Sequence, residues 1–339
     1  MIRKITLPDW SRARSALLIR LRSIGDTVLM TPCLSAIKQW RADMKIAVVS
    51  EPLSAPLLED HPLVDELIRV ESTLASRAGI IRALRPERFD IAFNLHGGTT
   101  ATVMARLAGA RQQVAFRGHR LTELLSHRAP SPDVILGRSQ IHSVEQQLAL
   151  LHWSGVPWPD QPRLSLFVSA EAEANARARI SQICDEPFAI IAPSAAMESK
   201  RWTTSGFSSI ADHLDEHWNL SSIIIAGPGQ EAFAGEVSGK ARSRPPVIAR
   251  LGLKELMAII KMSALFVGND SGPAHIAAAF NRPMVVVFGS SNPAVWHPWT
   301  DAPNRVVHAE NAIEMINSSS VSAAVDEVLA DRQAKKVET

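Results

Sequence analysis

The chain has 339 residues, 46% hydrophobic and 21% charged, with a mean hydropathy of +0.03. That length exceeds what one hydrophobic core usually supports, so two domains are expected, and no apolar run approaches the roughly 18 residues of a membrane span. The net charge of +2 conceals an asymmetry, because residues 1–150 hold 20 Lys and Arg against 14 Asp and Glu while the remainder holds 16 against 20. The basic half suggests an anionic partner, either a phosphorylated molecule or the face of a membrane. A solvated Arg-rich surface accounts for it equally well. Nucleic acid is a poor fit, since Tyr is absent and no basic run is interleaved with stacking aromatics. Cys33 and Cys184 are too far apart for a metal or redox spacing, which suits a reducing cytoplasm. Residues 1–20 are dotted with Arg, Lys and Asp9 and do not read as a signal peptide.

In chain order the pattern alternates strands and helices. Residues 15–20 predict a strand, 23–26 a turn, and the following residues a helix to about Trp40. Strands follow at 45–50, 89–95 and 114–116, with helices at 74–85, 100–109 and 140–154, the last ending at Gly155. VPWPDQPRL, with three prolines, reads as an interdomain linker. The pattern then restarts with helices at 171–183, 205–218 and 252–262 and strands at 188–193 and 222–227. Residues 266–289 compress a strand, a Gly-Asn-Asp-Ser-Gly turn, an Ala-rich helix and a second strand into one βαβ unit. A last helix is expected at 320–331, with a frayed polar tail beyond Asp331. Two such βα-alternating halves predict two Rossmann-like domains facing a cleft.

Three strand-end turns carry polar groups suited to chemistry. In the first, Gly25 permits a tight strand-to-helix turn and Asp26 stands at the helix start. It serves there either as a cap or as a general base, whose ionised form the helix dipole favours. Arg20 and Arg22 nearby are candidates for holding an anion, or are surface charges. In the second turn, IIAPSAAMESKRW, Ser194 and the loop amides are placed to approach a phosphate and Lys200 to neutralise a diphosphate leaving group. Trp202 reads as packing. In the third, Gly268 and Gly272 allow close backbone approach, and the amides of Ser271 and Gly272 point at an anion. Asp270 would repel a diphosphate, so its carboxylate is expected to bond elsewhere, while His275 shares a helix face with Ser271. After the Gly227-Pro228-Gly229 turn, Glu231 is a ribose contact or a helix-start carboxylate. No Asp-x-Asp pair and no His-Glu-x-x-His occurs, so a metal-dependent route lacks its usual ligands.

IRLRSIGDTVLMTP near the start, FDIAFNLHGG at 89–98 and HSVEQQLALLHWSGV at 142–156 recur in order and spacing with APSAAMESKRW at 192–202, AGPGQ at 226–230 and GNDSGPAHIAAAFNRPMVVVFGSSNP at 268–293. Over nearly its whole length the chain resembles the family 9 glycosyltransferases, the bacterial heptosyltransferases of lipopolysaccharide core assembly. The resemblance implies an α/β protein of GT-B fold, two doubly wound Rossmann-like domains facing a central cleft. It implies acceptor binding by residues 1–160 and nucleotide-sugar binding by 161–339, with the last helix able to pack back on the first domain. It implies inverting, metal-independent transfer of heptose from ADP-heptose to an inner-core sugar, on an acceptor of lipid A–Kdo or core-oligosaccharide type. No cofactor beyond the donor substrate is then needed. The setting would be the cytoplasm, with peripheral contact at the inner membrane a further option.

Asp26 falls on the family's general base, Lys200 on its phosphate-contacting lysine, and Asp270, Ser271, Gly272 and His275 on its donor-binding turn. Ser194 and Glu231 complete the donor candidates. Arg20, Arg22, His96, Arg117 and Arg120 are the acceptor candidates, with His119 and Arg128 beside them. Asn-Leu-His-Gly-Gly at 94–98 departs from the acidic residue and Gln-Gly common in lipopolysaccharide heptosyltransferases I, which leaves the acceptor sugar open. The rivals are a family 9-like transferase with another donor or acceptor, a non-catalytic nucleotide-sugar binder, a Rossmann oxidoreductase and a Ser–His hydrolase. The oxidoreductase would want a Gly-x-Gly-x-x-Gly turn after the first strand, and the hydrolase a Gly-x-Ser-x-Gly elbow; neither is present.

Overall fold

The computed structural model describes residues 6–184, 187–310 and 312–337. The chain forms two compact units, Met1–Phe167 and Val168–Thr339. Residues 156–169, around that boundary, carry no helix or strand.

The first unit holds a sheet of β1 (Ser15–Ile19), β2 (Lys45–Ser50), β3 (Glu66–Arg69), β4 (Ile91–Asn94), β5 (Gln112–Phe116) and β6 (His127–Ala129). The order is β3-β2-β1-β4-β5-β6, every pairing parallel. The second unit holds β7 (Phe188–Ala192), β8 (Ser221–Ile225), β9 (Val247–Ile248), β10 (Leu265–Asn269), β11 (Met284–Phe288) and β12 (Asn304–His308). Its order, β12-β11-β10-β7-β8-β9, is the same winding, again wholly parallel. Parallel strands linked by helices are covered on both faces, so the central strands read as unbroken apolar runs such as FAIIA and MVVVF. Both sheets reverse direction between their first and fourth strands, β1/β4 and β7/β10. A crevice opens at such a switch point, beyond the carboxyl ends of the strands.

Local structure departs from the sequence expectation at identifiable places. The helix expected up to Trp40 is two, Ile24–Leu29 and Thr31–Trp40, with Met30 between them and Pro32 in the first turn of the second. Proline fits a helix start and not its interior. Four strands escaped the sequence pattern: β3, β6, β9 and β12, the outer strands of both sheets. The helices Pro132–Leu136 and Pro293–Trp296 were also not foreseen, whereas Glu231 does open a helix, Glu231–Lys240. The tail expected to fray beyond Asp331 continues the last helix, Ser318–Val337. That helix packs within its own unit, on β11, β12 and the helix Thr204–Trp218.

Gly268 has a packing role that the sequence reading did not give it. A Cβ there would stand 2.9 Å from the Ala192 carbonyl oxygen and 3.0 Å from Phe266, so its lack of a side chain brings β10 against β7. Trp202 is a core residue as expected: it is buried, its Nε1 donates to the Ile316 carbonyl at 3.0 Å, and its ring lies over Gly206.

Candidate active site

In the first unit the candidates gather beyond β1, β4 and β5. Arg20 directly follows β1 and is only 7% exposed, so it is not a surface charge. One guanidinium nitrogen is ion-paired with Asp26 and a second donates to the Leu95 carbonyl just past β4. The third, Nε, is buried without a partner among the described residues. Burial pulls its pKa down, and the adjacent Asp26 opposes that. The second oxygen of Asp26 accepts from the Ser23 hydroxyl at 3.0 Å and, at 3.4 Å, from the Ser23 N–H. Ser23 occupies the N-cap without capping an amide through its side chain; Asp26 reaches back to it instead. Cap and candidate base are thus the same carboxylate.

The loop after β4 is shaped by Asn94, which is fully buried. Its oxygen accepts from the N–H groups of His96 (3.1 Å) and Gly97 (2.9 Å), and its nitrogen donates to the Thr102 hydroxyl at 3.0 Å. Gly97 takes φ +88°, and a Cβ there would press on the His119 ring at 3.0 Å. Glycine is required both for that backbone and for that contact. His96 and His119 each have a buried Nδ1 with no partner among the described residues. Burial is the first cause holding both imidazoles below the ordinary value; the charge of Arg20 adds to it at both, and that of Arg22 at His96. Arg22, Arg117 and Arg120 are exposed, with the Arg117 Nε donating to the Arg128 carbonyl at 3.2 Å.

In the second unit the candidates gather beyond β7, β8 and β10. Lys200 Nζ is 2.8 Å from Asp270 Oδ2, and His275 Nε2 is 3.9 Å from the other oxygen of the same carboxylate. Asp270 is 5% exposed in its side chain, whereas Lys200 keeps 26%. The carboxylate thus faces its two basic neighbours, as its charge required, and aims an ammonium that remains open to solvent. Ser271 is the N-cap of the helix Gly272–Ala279, yet its hydroxyl makes no cap bond and is buried without a partner among the described residues. A serine in that position ordinarily spends its oxygen on the helix. Ser194 Oγ accepts from the Gly227 N–H at 3.0 Å, and Gln230 Nε2 donates to the Ala195 carbonyl at 2.7 Å, stitching the β7 and β8 loops together. Glu231, half-buried, opens the helix Glu231–Lys240 just past that turn.

Asn269 was not singled out from sequence. It is fully buried at the end of β10, its oxygen accepts from the Trp202 N–H at 3.0 Å, and its nitrogen donates to the Pro193 carbonyl at 2.7 Å. Asn94 holds the matching place at the end of β4. The available signal was a polar residue closing an otherwise apolar strand, IAFN and LFVGN. Among the described residues no group of three or more His, Cys, Asp or Glu is gathered as a metal site.

Two parallel Rossmann-like units, each with its polar groups at the switch point, define the GT-B class of glycosyltransferase. The solved structures agree with that fold. A family 9 glycosyltransferase from Veillonella parvula DSM 2008 superposes with a TM-score of 0.85 at 20% identity, covering 96% of this chain and 99% of that one. The ADP-heptose lps heptosyltransferase II of E. coli gives 0.82 at 21% identity, covering 94% and 99%. Residues 77–323 match the family model "Glycosyltransferase family 9 (heptosyltransferase)", and the chain belongs to that family. Among its relatives, lipopolysaccharide heptosyltransferase 3 of Escherichia coli is 27% identical over 335 residues, 91% of this chain and 97% of that protein. The chain is therefore a glycosyltransferase.

Proposed function

We propose that this chain transfers a heptose from ADP-heptose to a sugar of the lipopolysaccharide core, with inversion and without a metal ion. Relatives named lipopolysaccharide heptosyltransferases, and E. coli heptosyltransferase WaaC described with ADP, support the choice of donor and acceptor. The observation that carries the reading is the ammonium of Lys200, aimed by Asp270 at 2.8 Å beside the N-terminus of the helix Gly272–Ala279. A cation and free helix amides at one strand end suit a departing diphosphate.

Asp26 takes the proton of an acceptor hydroxyl as that oxygen attacks the anomeric carbon. The bond from that carbon to the diphosphate oxygen breaks, and ADP leaves with the electron pair. Lys200, His275, the amides of Ser271 and Gly272 and the hydroxyls of Ser194 and Ser271 receive its charge, and Glu231 takes the ribose. A single displacement from the far side inverts the anomeric centre, and the protein cation does the neutralising that a metal would otherwise do. Arg22, Arg117 and Arg120, with His96, are the groups we assign to an anionic acceptor. We place the reaction on the cytoplasmic side; no described helix is long and apolar enough to cross a membrane.

Calorimetric titration of ADP, UDP, GDP and NAD into metal-free protein, repeated with Lys200→Ala, tests the donor. Losing a charge-assisted hydrogen bond of about 1.5–3 kcal/mol predicts roughly 10- to 100-fold weaker ADP binding. Preference for UDP or GDP would replace the donor, and NAD preference or an indifferent Lys200 variant would displace the site. Asp26→Asn should slow transfer by about 10²- to 10⁴-fold, to a measurable residual rate, while leaving ADP binding intact.

A further inference from the structure

We infer that Arg20 is a positioning residue for the Asp26 carboxylate, holding it in register with the end of β4; the inference rests on Asp26 being the general base. The guanidinium is planar, and its nitrogens diverge at fixed angles. Two of the three are committed, one to Asp26 and one to the Leu95 carbonyl, so the place of the carboxylate is tied to a neighbouring strand of the sheet. Its other oxygen is held by Ser23 at 3.0 Å. Both oxygens therefore have a protein partner, and rotation about the carboxyl bond is fixed from two sides. The helix that carries Asp26, Ile24–Leu29, spans only six residues. A segment so short has little helical stability of its own. The sheet, reached through Arg20, supplies the rigidity that the helix lacks.

The choice of arginine follows from the same geometry. A lysine at position 20 offers a single ammonium at the end of a flexible stem, and it would carry the charge without the divergent fork. Arg20 is buried while Asp26 is half-buried, and desolvating the arginine offsets part of their attraction. The place of the pair at the end of β1 points to a geometric role. The charged and titratable groups around the pair are Arg22, His96, His119 and the buried thiol of Cys33. Burial first, and then the positive charge of Arg20, holds both imidazoles below their ordinary value.

The test uses the full chain with ADP-heptose and a core-oligosaccharide acceptor, comparing Arg20→Met and Arg20→Lys in the wild-type and Asp26→Asn backgrounds. A base displaced by about an ångström can lose on the order of 10²-fold in rate. Arg20→Met should lower kcat by that order with the acceptor KM unchanged, and Arg20→Lys should recover part of the loss. In the Asp26→Asn background the same substitutions should cost nothing further, because a residue acting only through Asp26 has nothing left to position. ADP affinity should stay constant throughout. A raised acceptor KM at unchanged kcat would make Arg20 a substrate contact, and equal losses in both backgrounds would make it merely structural; either overturns the inference. If Arg20→Met does not fold, Arg20→Lys decides alone, and an unchanged kcat refutes. Wild-type turnover by Asp26→Asn itself would instead bring down the assignment of the base, whatever Arg20 does.

Discussion

Replacing Asn269 by alanine should cost the second unit several kilocalories of stability. The side chain is fully buried, and it bonds the Trp202 N–H at 3.0 Å and the Pro193 carbonyl at 2.7 Å. Alanine removes both bonds and leaves a buried donor and a buried acceptor without a partner. Each orphaned buried group costs about 1–3 kcal/mol, so the pair predicts roughly 2–6 and a central value near 4 kcal/mol. For a unit of this size each kcal/mol moves the midpoint by about 2–4 °C, which places the expected fall at roughly 8–16 °C. Asn269→Asp keeps the acceptor, loses the donor and sets a carboxylate against the Pro193 carbonyl, so it should do no better than alanine. Urea unfolding followed by tryptophan fluorescence measures the change, and ADP titration reports whether the loop carrying Lys200 has loosened. A loss below about 1 kcal/mol would refute the reasoning, since each orphaned group alone should cost that much.

Gly289→Ala should weaken ADP binding without removing any polar group. An added Cβ would overlap the Ser199 carbonyl oxygen and stand 3.1 Å from Ile313, forcing the turn Glu198–Lys200 outward and carrying the ammonium with it. Overpacking of this kind costs about 1–3 kcal/mol, and unchanged ADP affinity by calorimetry would show that the turn yields elsewhere. Acid should destabilise the first unit before the second. His61, His96, His119 and His127 all lie there, and burial holds each below the ordinary value of 6.5. Their unfolded forms take up protons first as pH falls through about 6.5, so the unfolded state binds more protons and stability drops, whereas above that pH it is fully present. Thermal scans at about pH 7.5 and about pH 5.5, with ADP added to mark the second unit, should show the other transition moving down; equal shifts in both would refute the assignment.

The alternation of strands and helices was legible because the central strands of a parallel sheet are buried on both faces. Runs such as SALLI, KIAVVS and MVVVF carry that burial in their composition. The four unrecognised strands are the four sheet edges. ELIR and NRVVH are only partly buried and bear charges, HRA is three residues with a charge, and Val247–Ile248 is two residues long, so none presents an apolar run or a clean alternation. Short motifs likewise disclosed the turns at the strand ends, because glycine, serine and aspartate there have few other uses.

What the sequence by itself determined about this protein is local: which segments are strands, where turns fall, and which polar side chains stand at the strand ends. Pairing was decided only by tertiary structure. Lys200 and Asp270 lie seventy positions apart and meet because β7 and β10 are neighbours in the sheet. Arg20 meets the Leu95 carbonyl because β1 lies beside β4, and a residue read from sequence as an anion grip or a surface charge is the buried partner of Asp26. Local propensity depends on a few adjacent residues, whereas burial and charge partners depend on strand order, and strand order is settled by packing across the whole unit.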